Sequence, residues 1–378
     1  MASSSCTYIS LIALVLVICN YSSTTSASSN PGSETEFEKW LGWNVRNHRS
    51  KRLAADRSLV MSVLDDNLVI AEKNKVMINV SRDGSGDFKT INEALNSIPL
   101  RNTRRVILVI KPGIYREKII IPRTMPFITF QGDANNPPTI TGNDTASSSS
   151  KDGRPLKTFQ SATVAVDANY FVAINIKFEN TVPHTIGSKG GQAVAVRISG
   201  TKAAFYNCSF YGDQDTLYDH KGLHYFNNCF IQGSVDFIFG NGRSLYENCY
   251  LNSIAKKVAS LTAQKRSSAS MASGFSFKDS VVTGNGTGLV YLGRAWGDYS
   301  RVVFSYTFMD KVVRPQGWSD WGNPKRDARV YYGEYKCSGP GANLTGREPW
   351  ARILTDEEAE PFLGTYYVEG DTWLINSW

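Results

Sequence analysis

The chain has 378 residues, which is enough for one large domain or two ordinary ones. Its six cysteines are too few for a fold held together by disulfides, and two of them, Cys6 and Cys19, lie in an apolar N-terminal segment. The formal net charge of +7 favours polyanionic partners such as acidic polymers, nucleic acids or membrane surfaces. A charge of this size can also serve solubility alone.

An apolar run of 11 residues, 9–19, lies near the N-terminus and is followed by small and polar residues. It is too short to span a bilayer, so it predicts a secretory signal peptide over residues 1–27. No Lys or Arg precedes the run, which leaves a retained membrane anchor as the alternative. Residues 28–75 are polar and of mixed charge, and we interpret them as an N-terminal extension, partly disordered or weakly helical.

Beyond the predicted signal peptide, Asn-x-Ser/Thr triplets, which accept N-linked glycans in secreted proteins, occur at five places. Four of them, at Asn79, Asn143, Asn285 and Asn343, fall in predicted loops. The fifth, at Asn207, falls in a predicted turn of regular structure and is a poorer acceptor. The triplets agree with a secreted glycoprotein but do not establish one.

The sequence pattern changes at Val76, where we place the start of a domain spanning residues 76–378. The segment VMINVS predicts a strand and DGSGD a turn, and Thr90 is a candidate N-cap for a short helix over INEALNSI. RVILVI and IIIP predict two further strands. Beyond Thr158 short β-rich pieces alternate with Gly and Asn, and TDEEAEPF near the C-terminus predicts a capped helix.

A repeat of 20 or 21 residues runs through the β-rich region. The pairs Asn207-Cys208, Asn228-Cys229 and Asn248-Cys249 follow one another at these intervals. The same place in neighbouring segments is taken by Asn175-Ile176, Asp279-Ser280 and Ser305-Tyr306. A fixed period of this length is typical of a solenoid, and it predicts an all-β parallel β-helix with short capping helices and with the cysteines stacked as buried thiols. A sandwich or a propeller would show hairpin turns or a repeat of about 40 residues.

Asp215 and Asp236 obey the same period, because they too are 21 residues apart. On adjacent turns of a coil their backbones would lie roughly 4.8 Å apart. Two carboxyls this close push one pKa upward, so one stays protonated while the other is ionised, which supplies an acid and a nucleophile together. Either aspartate could instead cap the backbone N–H groups of a turn.

Further candidate residues surround the two aspartates in the predicted coil. Arg294 could pair with the ionised carboxylate, and the amides of Gln192 and Gln214 could donate to an oxygen that becomes negative during a reaction. Aromatic residues that could stack on sugar rings are Tyr218, Phe237, Phe239 and Trp296. Each of these residues could also be an ordinary surface, turn or core residue, and only their joint occurrence favours a functional site.

The motifs of several other chemistries do not occur in the sequence. It contains no G-x-S-x-G, H-E-x-x-H or C-x-x-C segment and no phosphate-binding G-x-x-x-x-G-K. His220 and His224 are spaced for a metal only on a helix, and they lie in strand-like sequence. We therefore predict no metal site and no cofactor.

Five segments, in this order, resemble the signature segments of plant pectin methylesterases (pectinesterases). They are GIYRE (113–117), QAVAVR (192–197), GDQDTLY (212–218), GSVDFIFGN (233–241) and LGRAW (292–296). DGSGDFKTINEAL, TFQSATVAV and RPQGWSDW are similar to further family segments, so the resemblance covers about residues 76–375. It implies a right-handed parallel β-helix that hydrolyses the C6 methyl esters of homogalacturonan in the cell wall and releases methanol.

The resemblance also implies a role for each candidate residue. Asp236 would be the nucleophile, Asp215 the acid and then the base, and Arg294 the residue that orients Asp236. Gln192 and Gln214 would bind the oxyanion. The residues implied to contact substrate are Trp296, Tyr218, Phe239, Phe159, Thr163 and Trp318. No metal or organic cofactor is implied, and the expected protein is a secreted monomer whose partners are pectin and a proteinaceous pectin methylesterase inhibitor, with no nucleic acid and no membrane.

The sequence departs from many plant relatives in two respects. Residues 28–75 are too short for the four-helix inhibitor-like domain of those relatives and contain no cysteine, which indicates the form without that domain. Partners for disulfides at Cys208 and Cys249 are also missing, which leaves the disulfide pattern open. Two other functions remain alternatives: a β-helical glycan depolymerase with paired aspartates, and a non-catalytic cell-wall binding protein.

Overall fold

The computed structural model describes residues 64–183 and 190–375. The predicted signal peptide and most of the predicted N-terminal extension lie outside these residues. Within the described ranges no helix is long and apolar enough to cross a membrane.

Every strand of the described chain belongs to one of three parallel sheets, called A, B and C here. Sheet A contains the strands Val76–Val80, Val106–Ile110, Ile128–Gln131, Val172–Ile174, Ala203–Tyr206, Leu223–Asn227, Arg243–Glu247, Gly274–Lys278, Arg301–Ser305, Tyr331–Tyr335 and Arg352–Ile353. Sheet B contains Ile114–Arg116, Thr139–Gly142, Lys177–Asn180, Ser209–Tyr211, Phe230–Gly233, Tyr250–Ser253, Val281–Gly284 and Phe308–Met309. Sheet C contains Ile119–Ile121, Val164–Val166, Val196–Ile198, Leu217–Asp219, Ile238–Gly240, Ala259–Gln264, Val290–Arg294 and Trp318–Ser319.

The chain visits the three sheets in a fixed rotation. From Ala203 onward it passes through sheet A, sheet B and sheet C and returns to sheet A at Leu223, one strand further along. Each strand pairs in parallel with the strand one turn before it and the strand one turn after it. The architecture is therefore the parallel β-helix that the 21-residue period predicts.

Stacked aromatic rings fill the interior beside sheet A. Phe205, Phe226, Tyr246, Phe277 and Phe304 occupy one register position on five successive turns and are all buried. Their neighbouring ring centroids are 4.9, 4.4, 4.5 and 4.5 Å apart, with nearly parallel planes. Each such pair contributes about 0.5–1.5 kcal/mol beyond the burial of its apolar area. The stack therefore fixes both the spacing and the register of the turns.

The corner between sheets A and B explains the repeated asparagines. Asn207, Asn228 and Asn248 all have left-handed backbone conformations, with φ of 51°, 56° and 56°. Asparagine tolerates this conformation better than most residues, because its short polar side chain can bond locally. The Asn207 amide also donates to the side-chain oxygen of Asn175 on the previous turn, at 2.7 Å. The three asparagines therefore occupy the same corner position on consecutive turns, as their spacing in the sequence predicts.

The cysteines after these asparagines are free and point into the coil. Cys208, Cys229 and Cys249 are each 1 % exposed, and Cys337 is also free. The prediction of buried thiols is therefore confirmed. One predicted register position is wrong: Ser305 pairs with Lys278, so Tyr306 and not Ser305 stands at the asparagine position, with φ of 52°.

Short helices lie at the ends and on the sides of the coil. The α-helices are α1 (Asp66–Lys73), α2 (Ile91–Asn96), α3 (Lys157–Gln160) and α4 (Asp356–Ala359). The 3₁₀ helices are Pro324–Arg326, Pro340–Ala342, Leu344–Gly346, Glu360–Phe362, Thr365–Val368 and Gly370–Thr372. Thr90 caps α2 and Thr355 caps α4, each through a reciprocal capping box with a glutamate three residues later. Both predicted capped helices are confirmed.

Helix α1 packs against the coil, although it lies within the predicted N-terminal extension. Leu68 and Ala71 are completely buried in a cluster that also contains Trp373. The backbone N–H of Asp65 donates to the carbonyl of Thr372 at 2.8 Å. Arg105, which is 1 % exposed, donates from Nε to the carboxylate of Glu72 at 2.7 Å. We therefore propose that the folded domain includes residues 64–75 and does not begin at residue 76.

This packing gives a stability prediction for α1. Leu68→Ala should lower the free energy of unfolding by about 2–4 kcal/mol, because it leaves a cavity in a fully buried cluster. Ile70 lies on the same helix and is 54 % exposed, so Ile70→Ala is the matched control and should cost less than about 0.5 kcal/mol. Thermal or denaturant unfolding of both variants measures the difference. Equal and small losses of unfolding free energy in the two variants would show that α1 does not unfold together with the rest of the domain.

Candidate active site

Asp215 and Asp236 stand on adjacent turns, two residues before paired strands of sheet C. Leu217 pairs with Ile238, and the backbone N–H of Asp215 donates to the carbonyl of Val235 at 3.0 Å. Both aspartates have left-handed backbone conformations, with φ of 65° and 48°. They are only 8 % and 6 % exposed. The structure therefore brings the two carboxyls to one corner of the coil, between sheets B and C.

Arg294 reaches Asp236 from two turns further along. The strand Ala259–Gln264 follows the strand of Phe239 in sheet C, and Ala263 pairs with Phe239. The strand after that, Val290–Arg294, ends at Arg294. Its Nε donates to Oδ1 of Asp236 at 2.7 Å, and its Nη2 donates to Oδ2. This two-pronged contact holds the carboxylate in one orientation, which a lysine could not do.

Burial and neighbouring charges give the two aspartates different pKa values. Burial, reinforced by the negative charge of Asp236, holds the pKa of Asp215 well above its ordinary value, and Arg294 offsets only part of this effect. Burial also raises the pKa of Asp236, but here the hydrogen bonds and the charge of Arg294 oppose the rise directly. Asp215 is therefore the carboxyl that keeps its proton, and Asp236 is the one that ionises first.

The two glutamines lie on the turns next to the aspartates. The backbone N–H of Ala193 donates to the carbonyl of Gln214 at 3.1 Å, so Gln192 and Gln214 approach the same corner from successive turns. Both residues are half-buried. Gln214 directly precedes Asp215 in the chain. This position agrees with a role as amide donors near the carboxyls, and that role stays a prediction.

An aromatic cluster covers the outer face of sheet C beside the carboxyls. Tyr218 and Phe239 stack with centroids 4.3 Å apart, and Trp296 lies 6.1 Å from Phe239. Phe159, on α3, meets Tyr218 edge to face at 6.2 Å and is 41 % exposed. The structure thus brings four of the six predicted substrate-contacting residues together. Tyr218 and Phe239 are mostly buried, so Phe159 and Trp296 present most of the accessible ring surface.

The other two predicted substrate-contacting residues do not line this surface. Trp318 is fully buried inside the coil, where it stacks on Tyr332 at 4.5 Å and donates from Nε1 to Glu334 at 3.0 Å. Thr163 is 2 % exposed, and its hydroxyl donates to the carbonyl of Glu179 at 3.0 Å. Predicting them as substrate contacts was therefore wrong: Trp318 belongs to the core and Thr163 to the wall beneath the surface.

Several residues of this region were missed by the sequence analysis. Trp321 is 41 % exposed, and its ring lies 3.8 Å from the Cζ of Arg294. Arg197 and Lys265 lie in the same way over the rings of Phe159 and Trp296. Trp321 shares the segment RPQGWSDW with Trp318, and of these two tryptophans it is Trp321 that is exposed beside Arg294.

The two histidines near this surface bind protein groups. Nδ1 of His220 lies 2.9 Å from the hydroxyl of Ser199, and Nδ1 of His224 lies 2.5 Å from Asp219. Burial lowers the pKa of His220 to about 4, with the positive charge of Arg197 acting in the same direction. Among the residues that the structure describes, no group of three or more His, Cys, Asp and Glu side chains could hold a metal ion.

A protonated carboxyl, a carboxylate oriented by an arginine and an aromatic surface on a parallel β-helix are the features of a carbohydrate-active hydrolase. Comparison with known proteins makes this class specific. The profile of the Pectinesterase family matches residues 77–371. The chain is 41 % identical to Pectinesterase QRT1 of Arabidopsis thaliana over 359 residues, covering 93 % of this chain and 94 % of that protein. It is 46 % identical to putative pectinesterase 63 of the same plant over 298 residues, covering 79 % and 86 %.

Solved structures agree with these sequence relatives. The pectin methylesterase from carrot is 35 % identical and superposes with a TM-score of 0.71, covering 79 % of this chain and 94 % of that one. PemA from Erwinia chrysanthemi is 27 % identical, with a TM-score of 0.69 and coverage of 79 % and 98 %. The chain therefore belongs to the pectinesterase family. It is a carboxylic ester hydrolase, and its fold is the right-handed parallel β-helix.

The raised pKa of Asp215 predicts a pH-dependent effect on stability. A folded-state pKa above the unfolded value of about 3.9 means that folding favours the protonated form, so stability is lost as the pH rises above about 4. Asp215→Asn removes this loss. Its gain in the free energy of unfolding should be near zero below pH 4 and should reach on the order of 1 kcal/mol near neutral pH, roughly 2–4 °C in Tm.

Asp236→Asn is the matched comparison for this experiment. Arg294 opposes the rise in the pKa of Asp236, so Asp236→Asn should show a smaller pH-dependent gain than Asp215→Asn. The loss of the paired contacts with Arg294 acts against this gain. Thermal unfolding between pH 3.5 and pH 8 measures both variants. A gain for Asp215→Asn that does not change with pH would contradict the assignment of the proton to Asp215.

The two tryptophans give a further prediction. Trp296→Ala should raise KM for a polymeric substrate by about 2- to 10-fold, the value of one aromatic contact, with little change in Tm. Trp318→Ala should lower the free energy of unfolding by about 3–5 kcal/mol, because it empties a buried site and leaves Glu334 without its indole donor. Steady-state kinetics measures the change in KM and calorimetry measures the change in Tm, so together they distinguish the two effects. A rise in KM for a folded Trp318 variant with unchanged Tm would contradict its placement in the core.

Proposed function

We propose that the protein hydrolyses the C6 methyl esters of homogalacturonan, the main pectic polymer, to free carboxylates and methanol in the plant cell wall. The observation that carries this proposal is the pair Asp215 and Asp236, two buried carboxyls of which only one is held by an arginine. Family membership supports the same reaction. Two related solved structures are pectin methylesterases in complex with hexasaccharides, one of them a mutant enzyme.

In the first step the carboxylate of Asp236 attacks the ester carbonyl carbon. A C–O bond forms between Asp236 and the substrate, the carbonyl π electrons move to the oxygen, and a tetrahedral intermediate results. Arg294 keeps the attacking carboxylate in one orientation. The amides of Gln192 and Gln214 stabilise the new oxyanion, a contribution that is typically 10²–10³-fold per donor in other enzymes.

In the second step the intermediate collapses and methanol leaves. Asp215 gives its proton to the departing methoxide oxygen, so methanol departs neutral and Asp215 becomes a carboxylate. An anhydride now joins Asp236 to the sugar carboxyl. Asp215 then removes a proton from water as the water oxygen attacks the sugar carbonyl, and the bond from that carbonyl to Asp236 breaks. Asp236 is again a carboxylate and Asp215 is again protonated, and the uronic acid that leaves gives its proton to the solvent.

The aromatic residues beside the carboxyls position the polymer for these steps. Phe159 and Trp296 are partly exposed, beside the cations that lie over their rings. Tyr218 packs against Phe159, and Phe239 packs against Trp296. Sugar rings stack on aromatic rings through their apolar sides. Trp321, which lies over Arg294, adds a third ring at the edge of the site.

The predicted signal peptide, the glycan acceptor sites and the net charge of +7 support secretion into the cell wall, where the substrate is anionic. Asn143, Asn285 and Asn343 are exposed residues outside strands, as acceptor sites require, whereas Asn79 is exposed within a strand of sheet A. Asn285 and Asn343 lie in turns far from the carboxyl pair in the chain. A proteinaceous inhibitor is a further partner that family membership suggests.

The decisive experiment measures methanol release and chain length in parallel, on highly methyl-esterified pectin. We expect methanol release with no shortening of the polymer. A fall in viscosity without methanol would instead indicate a depolymerase, and binding without either change would indicate a non-catalytic cell-wall protein. Each result therefore selects one function.

Three aspartate variants test the mechanism in the same assay. Asp236→Asn should abolish turnover, and Asp215→Asn should lower kcat by about 10²–10⁴-fold, the usual value of a general acid and base. Asp213→Asn is the matched control, because Asp213 lies in the same turn but its carboxylate accepts from the hydroxyl of Ser234. It should change kcat less than about 5-fold. Near-normal turnover by a folded Asp236→Asn variant would refute the assignment of the nucleophile.

A further inference from the structure

Two arginines stand close together where the chain passes from sheet C to sheet A. Arg243 and Arg301 are the first residues of two sheet A strands, and Gly274 is the first residue of the strand between them. The carboxyl pair of the candidate active site lies at the other end of the sheet C strands, at the corner with sheet B. The two arginines therefore occupy a separate part of the surface.

Gly274 lets two side chains approach the outer face of sheet A between these arginines. A Cβ atom at Gly274 would lie 2.7 Å from the hydroxyl of Tyr367 and 2.8 Å from Cδ of Arg301. The side chain of Arg301 therefore leans back across Gly274 towards Arg243. The Cζ of Arg243 in turn lies 5.3 Å from the ring centroid of Tyr367. Two guanidinium groups and one hydroxyl thus converge around a single glycine.

The positive charge of this cluster is only partly neutralised. Within the described ranges, the carboxylate that pairs with Arg243 is that of Glu369, at 3.3 Å, and its side chain is 53 % exposed. Arg301 forms no salt bridge with any of the described residues. A third arginine, Arg266, donates to backbone carbonyls. Burial, reinforced by the positive charge of Arg301, lowers the pKa of Arg266, as expected for cations that lack an anion between them.

Three buried polar atoms of the cluster have no hydrogen-bond partner among the residues that the structure describes. They are Nε of Arg243, Nε of Arg301 and the hydroxyl of Tyr367, whose residue is 5 % exposed. Burial raises the pKa of Tyr367 to about 12 against the positive charges of the two arginines, so the hydroxyl keeps its proton at neutral pH and can donate. Buried donors without an acceptor are unfavourable, and an anion supplies acceptors to all of them.

We propose that Arg243, Arg301 and Tyr367 bind a small tetrahedral oxyanion of the phosphate or sulfate class on the outer face of sheet A. A guanidinium group presents N–H groups side by side, which match two oxygens of such an ion. The hydroxyl of Tyr367 donates from a further direction. A carboxylate has only two oxygens in one plane, so it satisfies fewer of these donors.

A bound oxyanion joins the coil to the segment that covers it. Arg243 and Arg301 belong to strands of sheet A, whereas Tyr367 belongs to the 3₁₀ helix Thr365–Val368. Residues of this helix pack on the outer face of sheet A in a buried apolar cluster. Because the three donors come together only in the folded protein, the ion stabilises the folded state and holds the C-terminal segment on the coil. The proposal does not depend on the methylesterase function.

The test measures thermal unfolding near pH 7 in sodium phosphate, sodium sulfate and sodium chloride at one ionic strength, together with calorimetric titration of phosphate. The Tm of the wild-type protein should rise to saturation with phosphate and with sulfate, by about 4 °C at 100 times Kd, and chloride should not reproduce this rise. Arg301→Gln should weaken phosphate binding by about 10- to 100-fold, because it loses charge-assisted hydrogen bonds. Tyr367→Phe keeps the ring and should weaken binding by about 3- to 10-fold.

Two controls separate binding from folding. In chloride, Arg301→Gln should keep its Tm within about 2 °C of the wild-type value, because it removes one cation from a crowded cluster. Arg329→Gln is the matched control for the loss of an arginine. Arg329 also lies near a tyrosine ring, but it pairs with Asp298 at 3.3 Å, so this variant should bind phosphate like the wild type.

Four results would overturn the proposal. They are the absence of a saturable Tm rise in wild-type protein, a rise that chloride reproduces at the same ionic strength, an equal rise in Arg301→Gln, and acetate binding as tight as that of phosphate. The second result would reduce the effect to screening, and the last would show that the cluster does not select a tetrahedral ion. If Arg301→Gln does not fold, Tyr367→Phe decides between the same outcomes.

Discussion

Each turn of the coil must place its strands in register with the strands of the turn before it. Parallel strands form their backbone hydrogen bonds only when their residues are aligned in this way. A shift of one residue would turn every inward side chain outward. The aromatic stack through Phe226 and Tyr246 holds this register from inside. The corner residues, such as Asn228, also maintain this register, because each takes a left-handed backbone conformation at the same position in its turn.

The site depends on the same constraint. Asp215 and Asp236 are also corner residues with positive φ, at the opposite end of the sheet B strands from the asparagines. Because their turns are in register, two side chains that are 21 residues apart in sequence become neighbours in space. Arg294 arrives from two turns further along by the same rule. The geometry of the candidate site is thus fixed by the repeat and needs no separate folding of a loop.

Burying two carboxyls beside one arginine is unfavourable for stability and useful for chemistry. One guanidinium group can neutralise one carboxylate, so the second carboxyl is stabilised as the neutral acid. The arginine selects Asp236 through its paired contacts, and burial beside that charge leaves Asp215 protonated. The two carboxyls therefore differ in pKa because two buried acidic groups share one arginine.

Much of the coil and of the candidate site was predictable because the residues at equivalent positions repeat at a constant interval in the sequence. The Asn-Cys pairs gave the spacing of the turns, and the spacing placed Asp215 beside Asp236. Trp318 could not be placed correctly, because its strand, Trp318–Ser319, has only two residues and cannot show which of them points inward. The packing of helix α1 against the coil was missed for a different reason. The helix has eight residues, and the C-terminal segment on which Leu68 packs lies about 300 positions away in the sequence.

The ring-bound cations show how an enzyme for an anionic polymer can hold positive charge at its surface. A carboxylate partner would fix a lysine or arginine in place, but an exposed carboxylate would also repel the substrate. An aromatic face attracts a cation through its quadrupole and adds no negative charge. For Arg197 and Arg294 the carboxylate partners are mostly shielded from solvent, at 26 % and 9 % side-chain exposure for Asp167 and Asp236. For Lys265 the ring of Trp296 takes the place of a carboxylate, so the positive charge stays at the edge of the candidate site with no negative group added beside it.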